Sequence, residues 1–157
     1  MIHIVLFHPE IPQNTGNIMR TCAATGIKLH LIEPLGFIFD EKRVKRSVMD
    51  YFDYLDYERH VDWDAFTQKY PSEHYYLLSR FAKQNFYDMN FNHPDEDLFL
   101  VFGSEGHGLP DEIKNRYEKT MFRLPMKDGL RSLNLANTVA IVAYEVLRQQ
   151  GFPDLKI

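Results

Sequence analysis

The chain has 157 residues, of which 45% are hydrophobic and 25% charged, and its formal net charge is −4. This length and balance are typical of one globular domain spanning residues 1–157, and they exclude a disordered or low-complexity protein. Because the overall charge is negative, nucleic-acid binding would need a local cluster of lysine and arginine rather than a generally basic surface.

The N-terminus and the cysteine count restrict the cellular compartment. The apolar run 2–7 is too short for a secretory signal and is followed by His8-Pro9. Cys22 is the single cysteine, so an internal disulfide is excluded. No stretch approaches the roughly 18 to 20 apolar residues that span a bilayer. We therefore predict a cytoplasmic protein that does not insert into a membrane.

Short apolar segments alternate along the chain with segments of helical character. Strands are predicted at 2–7, 28–33, 74–79, 98–103 and 120–125. Helices are predicted at 15–25, with Gly26 as a C-terminal stop, at 42–49, 63–70 and 111–117, and over a long final segment, 132–151. This alternation predicts an α/β fold with a mostly parallel sheet flanked by helices.

The final helix is apolar around most of its circumference. A helix of this kind must be covered on more than one side. Its small residues would allow a second subunit to approach closely, but complete burial in the core of its own chain explains the pattern equally well. The main apolar stripe consists of Ala136, Val139, Ala140, Ala143, Val146 and Leu147, and further apolar residues occur at Leu135, Ile141, Val142 and Tyr144.

Three polar clusters interrupt this pattern. "PQNTGNIMR" (12–20) follows the first strand and ends in Arg20. "FGSEGHGLP" (102–110) follows a central strand, but it lacks the lysine of a P-loop and the third glycine of a dinucleotide fingerprint. Its backbone could approach a flat ligand closely. "MKDGLRSLNLAN" (126–137) carries more polar groups than a helix cap needs, although Ser132 or Asn134 fits an N-cap.

The order and spacing of these three clusters resemble those of the SPOUT family of RNA methyltransferases, in particular its small members that 2′-O-methylate the wobble nucleotide, position 34, of tRNA. The resemblance runs from the first residue almost to the last. It implies a C-terminal trefoil knot, a homodimer packed through the knot region and the last helix, and S-adenosylmethionine as methyl donor without a metal. The residues implied at the donor site are Leu78, Gly103, Glu105, Leu124, Met126, Ser132 and Leu133.

The resemblance also implies the residues that promote methyl transfer, namely Arg20, Asn14, Ser132 and Asn134. A guanidinium has a pKa above ~12 and is a poor base. We therefore expect Arg20 to grip the phosphate next to the target ribose in bidentate fashion and to stabilise the developing alkoxide. Asn14 and a turn at Gly16 are expected to hold the surrounding loop in shape.

Many members of this family carry an added RNA-binding domain for which this sequence shows no segment. We therefore expect the catalytic dimer itself to bind tRNA, with leucine tRNAs as the expected substrates. Taken alone, the charge run at 41–46 is typical of a solvated helix face. With the resemblance, the phosphate contacts are expected at Lys42, Arg43, Lys45, Arg46, Lys127 and Arg131.

Two other functions are compatible with the same fold: ribosomal RNA 2′-O-methylation and RNA binding without catalysis. The intact Arg20 and glycine-rich segment disfavour the latter. In the aromatic and acidic segment 50–60, the rings of Tyr51, Phe52, Tyr54 and Tyr57 could stack on an unpaired base. We expect them to pack in the core instead, because the aspartates of the segment would repel phosphate. The seven histidines show no paired spacing such as H-x-x-x-H, so no metal site is predicted.

Overall fold

A computed structural model describes residues 1–157 and contains one seven-stranded sheet. Every strand pairing is parallel, and the strand order is β3-β2-β1-β6-β4-β7-β5. The predicted α/β fold with a parallel sheet is thus confirmed. The strands are β1 (Ile2–Phe7), β2 (Lys28–Ile32), β3 (Tyr57–His60), β4 (Tyr75–Leu78), β5 (Gln84–Asn85), β6 (Leu98–Phe102) and β7 (Met121–Arg123).

Five helices cover the two faces of the sheet. Alternate residues of β1 point to opposite faces, so that Ile4 and Leu6 pack under α1 and α5 while Val5 and Phe7 pack under α3 and α4. Strands β1 and β6 are buried along their whole length, as expected for central strands covered on both faces. The helices are α1 (Pro12–Thr25), α2 (Glu41–Val48), α3 (Trp63–Lys69), α4 (Asp111–Arg116) and α5 (Leu135–Gln149).

The first helix begins three residues earlier than predicted. Pro12 occupies its first turn, where the missing N–H of proline has no helical partner to lose. Gly16 therefore lies inside α1 rather than in a turn, and the predicted turn at this residue is wrong. The predicted stop at Gly26 is correct.

Two strands and three 3₁₀ helices were not predicted. β3 carries the sequence "YERH" and β5 has only two residues, so neither shows an apolar run. The longest 3₁₀ helix is Met49–Tyr54, and the two shorter ones are Phe86–Asp88 and Glu118–Thr120. Phe52 and Tyr57 pack against the core as predicted, but Tyr51 and Tyr54 are 38% and 77% exposed, so core packing was the wrong expectation for these two.

The final helix is buried on one side only. Val139, Val142, Ala143 and Val146 lie in the core, whereas Ile141 and Tyr144 are 39% and 49% exposed. The chain thus leaves an apolar face of α5 uncovered. None of the helices combines the length and the apolar character that crossing a membrane requires.

Candidate functional site

A cavity of about 580 Å³ opens where β4, β6 and β7 end, beside the start of α5, and is here called the donor cavity because residues predicted to bind the methyl donor line it. Parallel sheets commonly bind ligands at the carboxyl ends of their strands. All seven residues predicted for the methyl donor line this one cavity, although they come from four separate segments. The predicted site residues in its lining are Asn14, Leu78, Gly103, Glu105, Leu124, Met126, Arg131, Ser132, Leu133 and Asn134.

One wall of the donor cavity is a tight loop, residues 103–108, here called the glycine loop. The backbone N–H of Gly108 donates to the carbonyl oxygen of Ser104 at 2.9 Å, and the N–H of Ser104 donates back to Gly108 at 3.3 Å. A Cβ on Gly103 would lie 2.3 Å from the carbonyl carbon of Gly108. Only glycine at position 103 therefore allows the loop to fold back on itself.

Glu105 connects the glycine loop to the start of α1. Its carboxylate accepts hydrogen bonds from the backbone N–H groups of Glu10 at 3.0 Å and Ile11 at 2.7 Å, and from Nδ2 of Asn14 at 3.4 Å. No side chain of α1 caps its own N-terminus. Glu105 thus supplies the negative charge that a helix N-terminus favours.

Asn14 and Asn134 extend this connection to the last helix. Nδ2 of Asn134 donates to Oδ1 of Asn14 at 3.0 Å, and Oδ1 of Asn134 accepts from the backbone N–H of Asn137 at 3.2 Å. Of the two predicted candidates for the N-cap, Asn134 and not Ser132 occupies it. The three polar clusters of the sequence therefore meet in one hydrogen-bond network.

Arg20 lies outside the donor cavity of its own chain. Its guanidinium carbon sits 4.6 Å from the centre of the Tyr51 ring, a distance typical of a cation–π contact. Tyr51 belongs to the longest 3₁₀ helix, which packs against both α1 and α2. Arg20 therefore borders α2, whose exposed cations Lys42, Arg43, Lys45 and Arg46 form no ion pair with a carboxylate.

Several lining residues were not predicted. Arg80 and Phe81 follow β4 directly, and the cations of Arg80 and Lys114 lie 4.6 and 4.5 Å from the Phe81 ring centre. Arg123 adds a further positive charge. Arg80, Phe81 and Arg123 lie at or just after the end of a parallel strand, which was the available signal, whereas Lys114 belongs to α4. Lys127, which was predicted to contact phosphate, does not line the cavity.

Three buried histidines form a hydrogen-bonded row across β1, β2 and β3 on the opposite face of the sheet from α1. Nδ1 of His3 lies 2.9 Å from Nε2 of His30, and Nδ1 of His30 lies 2.9 Å from Nε2 of His60. Burial, reinforced by the two neighbouring imidazoles, lowers the pKa of His30 to about 3. These rings are therefore neutral at physiological pH, each able to donate one hydrogen bond and accept another.

Two histidines of the row form a group of possible metal ligands together with Glu58. Ring nitrogens of His30 and His60 and a carboxylate oxygen of Glu58 lie within 4.8 Å of one another. However, the ammonium groups of Lys28 and Lys69 each contact Glu58 at 2.9 Å. Burial works against ionisation, but hydrogen bonds from neighbouring side chains lower the pKa of Glu58 to about 2. Two ammonium groups would repel a cation. This repulsion supports the absence of a metal site, which stays a prediction.

Comparison with known protein families identifies one family that this chain matches. A model of the SpoU rRNA methylase family matches residues 1–144. A tRNA (cytidine(34)-2′-O)-methyltransferase of Burkholderia ambifaria is 45% identical over 156 residues, which cover 97% of this chain and 97% of the relative.

Solved structures agree with this match. A structure from work on the 2-OH methylation of C/U34 on tRNA has a TM-score of 0.87 and 40% identity, covering 96% of this chain and 97% of the other. The AdoMet-bound rRNA methyltransferase of Sinorhizobium meliloti has a TM-score of 0.74 and 23% identity, covering 94% of this chain and 56% of the other. At that identity the likeness shows a shared fold.

Proposed function

Because the chain belongs to the SpoU rRNA methylase family, we propose that it is an enzyme that transfers a methyl group from S-adenosylmethionine to the ribose 2′-hydroxyl of nucleotide 34 in tRNA. One observation carries the proposal: the three separated motifs converge on a single cavity through the contacts of Asn14, Glu105 and Asn134. A single methyltransferase domain over residues 1–157, located in the cytoplasm, is part of the same proposal.

The donor cavity suits S-adenosylmethionine in size and chemistry. Its volume of about 580 Å³ lies in the range of small-molecule sites. Leu78, Phe102 and Leu124 offer apolar walls for a flat adenine ring. Ser132 and Thr138 offer hydroxyl groups for the polar parts of the donor. When bound, the donor supplies an electrophilic methyl carbon on a positively charged sulfur.

The protein contributes mainly orientation to this reaction. The glycine loop and the start of α5 form fixed walls, because Glu105 and Asn134 tie both to Asn14. The 2′-oxygen would take the methyl group as the donor leaves as a neutral thioether, and the hydroxyl proton would pass to solvent water. We propose that Arg20 neutralises the neighbouring phosphate and so eases the loss of that proton.

A homodimer would explain why Arg20 stands outside the cavity of its own chain. The uncovered apolar face of α5, with Ile141 and Tyr144, supports a second copy packed there. Helix α1 packs against α5, so a partner on this face would lie near Arg20. We place Arg20 at the cavity of the partner subunit on this basis. The trefoil knot is also a proposal, supported by the insertion of β7 between β4 and β5.

The dimer can be tested by replacing Ala140 with Glu. A charge at this half-buried position of α5 should separate the subunits, so that sedimentation shows monomers. Donor binding should weaken as well. Gln68→Glu, on the exposed side of α3, is the matched control and should stay dimeric. A dimeric Ala140→Glu variant would show that the interface lies elsewhere.

We propose that tRNA contacts the basic surface formed by α2 and Arg20, with Arg131 and Lys127 nearer the donor cavity. Lys45→Glu combined with Arg46→Glu should weaken tRNA binding and flatten its salt dependence while donor affinity stays constant. Lys119→Glu with Lys156→Glu changes the net charge equally on other exposed positions and controls for nonspecific attraction. Equal tRNA affinity for the α2 variant and the parent across a salt series would contradict this surface.

The activity itself is tested with purified protein, methyl-labelled S-adenosylmethionine and tRNA transcripts carrying C or U at position 34. Mass mapping should place a 2′-O-methyl group at nucleotide 34, and a metal chelator should not reduce the rate. Leucine tRNAs are the proposed preferred substrates and should show the highest kcat/KM. Methylation elsewhere in tRNA, or of ribosomal RNA alone, would contradict the proposal.

A further inference from the structure

A second cavity, of about 480 Å³, lies against the glycine loop and is here called the β1–β2 cavity. Its other walls are the segments that follow β1 and β2, including His8 and Leu35. Ser104, His107 and Gly108 line this cavity and the donor cavity alike. A group bound in the β1–β2 cavity would therefore be separated from the methyl donor only by the glycine loop.

The carboxylate of Glu10 lies at the wall of this cavity and contacts the glycine loop. Its Oε1 accepts a hydrogen bond from the N–H of Gly106 at 3.2 Å and lies 3.1 Å from Nδ1 of His107. The hydrogen bond from His107 lowers the pKa of Glu10, so the carboxylate is charged at neutral pH. A Cβ on Gly36 would lie 2.7 Å from the Cα of Glu10, so glycine is needed for this close packing. Glu10 thus presents a fixed hydrogen-bond acceptor.

His8 adds a flat surface next to this acceptor. Its φ of 49° lies in the left-handed region, which is uncommon for a residue other than glycine. Its ring stacks on Phe7 with a centroid distance of 3.7 Å. Residues held in such backbone conformations cluster at functional sites. The half-buried ring of His8 is therefore well placed to stack against a planar ligand.

The charges around the β1–β2 cavity indicate which part of a nucleotide could enter. Its lining contains no lysine or arginine, and the carboxylate of Glu10 would repel a phosphate. An uncharged base with a hydrogen-bond donor fits these groups. Carboxylates recognise cytosine by accepting a hydrogen bond from its exocyclic amino group. Uracil presents a carbonyl oxygen at the same position.

We infer that the β1–β2 cavity binds the base of the nucleotide that is methylated, with Glu10 accepting a hydrogen bond from the amino group of cytosine and His8 stacking on the ring. This inference rests on the proposed function, because it assumes an RNA substrate at the donor cavity. It makes Glu10 a residue that determines the preference between cytosine and uracil at the target position.

The test is Glu10→Gln, assayed with two tRNA transcripts that differ only by C or U at nucleotide 34. Glutamine keeps an oxygen for the N–H of Gly106 but loses the charge. It gains an N–H that can donate a hydrogen bond to the carbonyl oxygen of uracil. The ratio of kcat/KM for C34 over U34 should fall about tenfold, which is the loss expected for one hydrogen bond to a charged group. An unchanged ratio would overturn the inference.

Glu105→Gln is the matched control, because this carboxylate supports the glycine loop but lines only the donor cavity. It should slow both transcripts in the same proportion. If Glu10→Gln also slows both transcripts in the same proportion and loses donor affinity, then Glu10 only shapes the loop and the inference is wrong.

His8→Asn, which tolerates the left-handed backbone but lacks the ring, should raise KM for both transcripts without lowering donor affinity. An unchanged KM would remove the stacking role.

These outcomes are distinct from a failure of the proposed function. If the parent protein methylates neither transcript, the reaction assigned to the donor cavity is wrong. If the parent methylates both and only the Glu10→Gln ratio fails to change, the reaction stands and the base site is rejected.

Discussion

Asn14 and Asn134, which stand 120 positions apart in the chain, share a hydrogen bond of 3.0 Å between Oδ1 and Nδ2. Asn14 lies in the first turn of α1, and Asn134 is the N-cap of α5. Because Asn14 also donates to Glu105, its amide holds the glycine loop and α5 in a fixed relation. The side chain of Asn14 is buried, so each of its polar atoms depends on these partners.

Asn14→Asp should therefore destabilise the protein and the donor cavity together. Aspartate can still accept from Asn134, but it places a second carboxylate against Glu105 where an amide donated before. We expect a loss of about 1–3 kcal/mol in the free energy of unfolding, together with weaker binding of S-adenosylmethionine. Denaturant titration and calorimetry measure the two effects.

Asn17→Asp is the control for this experiment, because Asn17 is exposed on the same helix. It should change the free energy of unfolding by less than about 0.5 kcal/mol. Equal stability of the Asn14→Asp variant and the parent would show that the contact between Asn14 and Glu105 contributes nothing.

Gly103→Ala should open the glycine loop. The added Cβ would lie 2.3 Å from a backbone carbon of Gly108, so the backbone must move rather than a flexible side chain. We expect donor affinity to fall more than tenfold and stability to fall by about 1–3 kcal/mol. Gly16→Ala, within α1, is the control, since its Cβ would meet only the hydroxyl of Ser47 at 3.2 Å. Normal donor affinity in Gly103→Ala would contradict the role assigned to the loop.

The buried histidine row predicts a loss of stability in acid. His30 has a native pKa of about 3, whereas histidine in an unfolded chain has a pKa near 6.5. Between these values the unfolded chain binds a proton that the native protein does not, so the free energy of unfolding falls as pH decreases from about 6.5. Between pH 7 and pH 5, His30 should account for about 2 kcal/mol of that fall.

His30→Gln removes this titrating group, and the difference in unfolding free energy between pH 7 and pH 5 should shrink accordingly. His74→Gln, on an exposed residue, should leave the difference unchanged. Urea titrations at the two pH values measure both. The same pH dependence in His30→Gln and the parent would show that His30 is not neutral and buried as described.

Local patterns were sufficient to predict the main architecture. The apolar runs of β1 and β6 and the stop at Gly26 follow from residue type and spacing alone. β3 was missed because a strand at the edge of the sheet can carry polar residues such as Glu58, and such a strand shows no apolar periodicity in the sequence. The histidine row was missed for a different reason. Pairing between strands, and not spacing along the chain, brings its rings together.

The resemblance supplied residues from four segments of the chain that line one cavity in the structure, and residue types alone would not have grouped them. It could not supply the contacts among them. The hydrogen bonds of Glu105 to the start of α1 depend on how two loops approach in three dimensions. Likewise, the motif that contains both Asn14 and Arg20 does not reveal that the first lines the cavity and the second lies outside it.

The last prediction concerns Arg20, whose guanidinium lies over the ring of Tyr51. If Arg20 is a bidentate phosphate clamp, lysine offers a point charge without the planar fork, and the rate should fall sharply at every pH. If Arg20 were the proton acceptor, lysine, with an unperturbed pKa of about 10.4, should restore activity at alkaline pH. We expect Arg20→Lys and Arg20→Ala to keep donor binding and dimerisation, with lysine recovering only a small part of the rate. Single-turnover methylation across pH distinguishes the two, and a lysine variant that reaches the parent rate at high pH would refute the clamp.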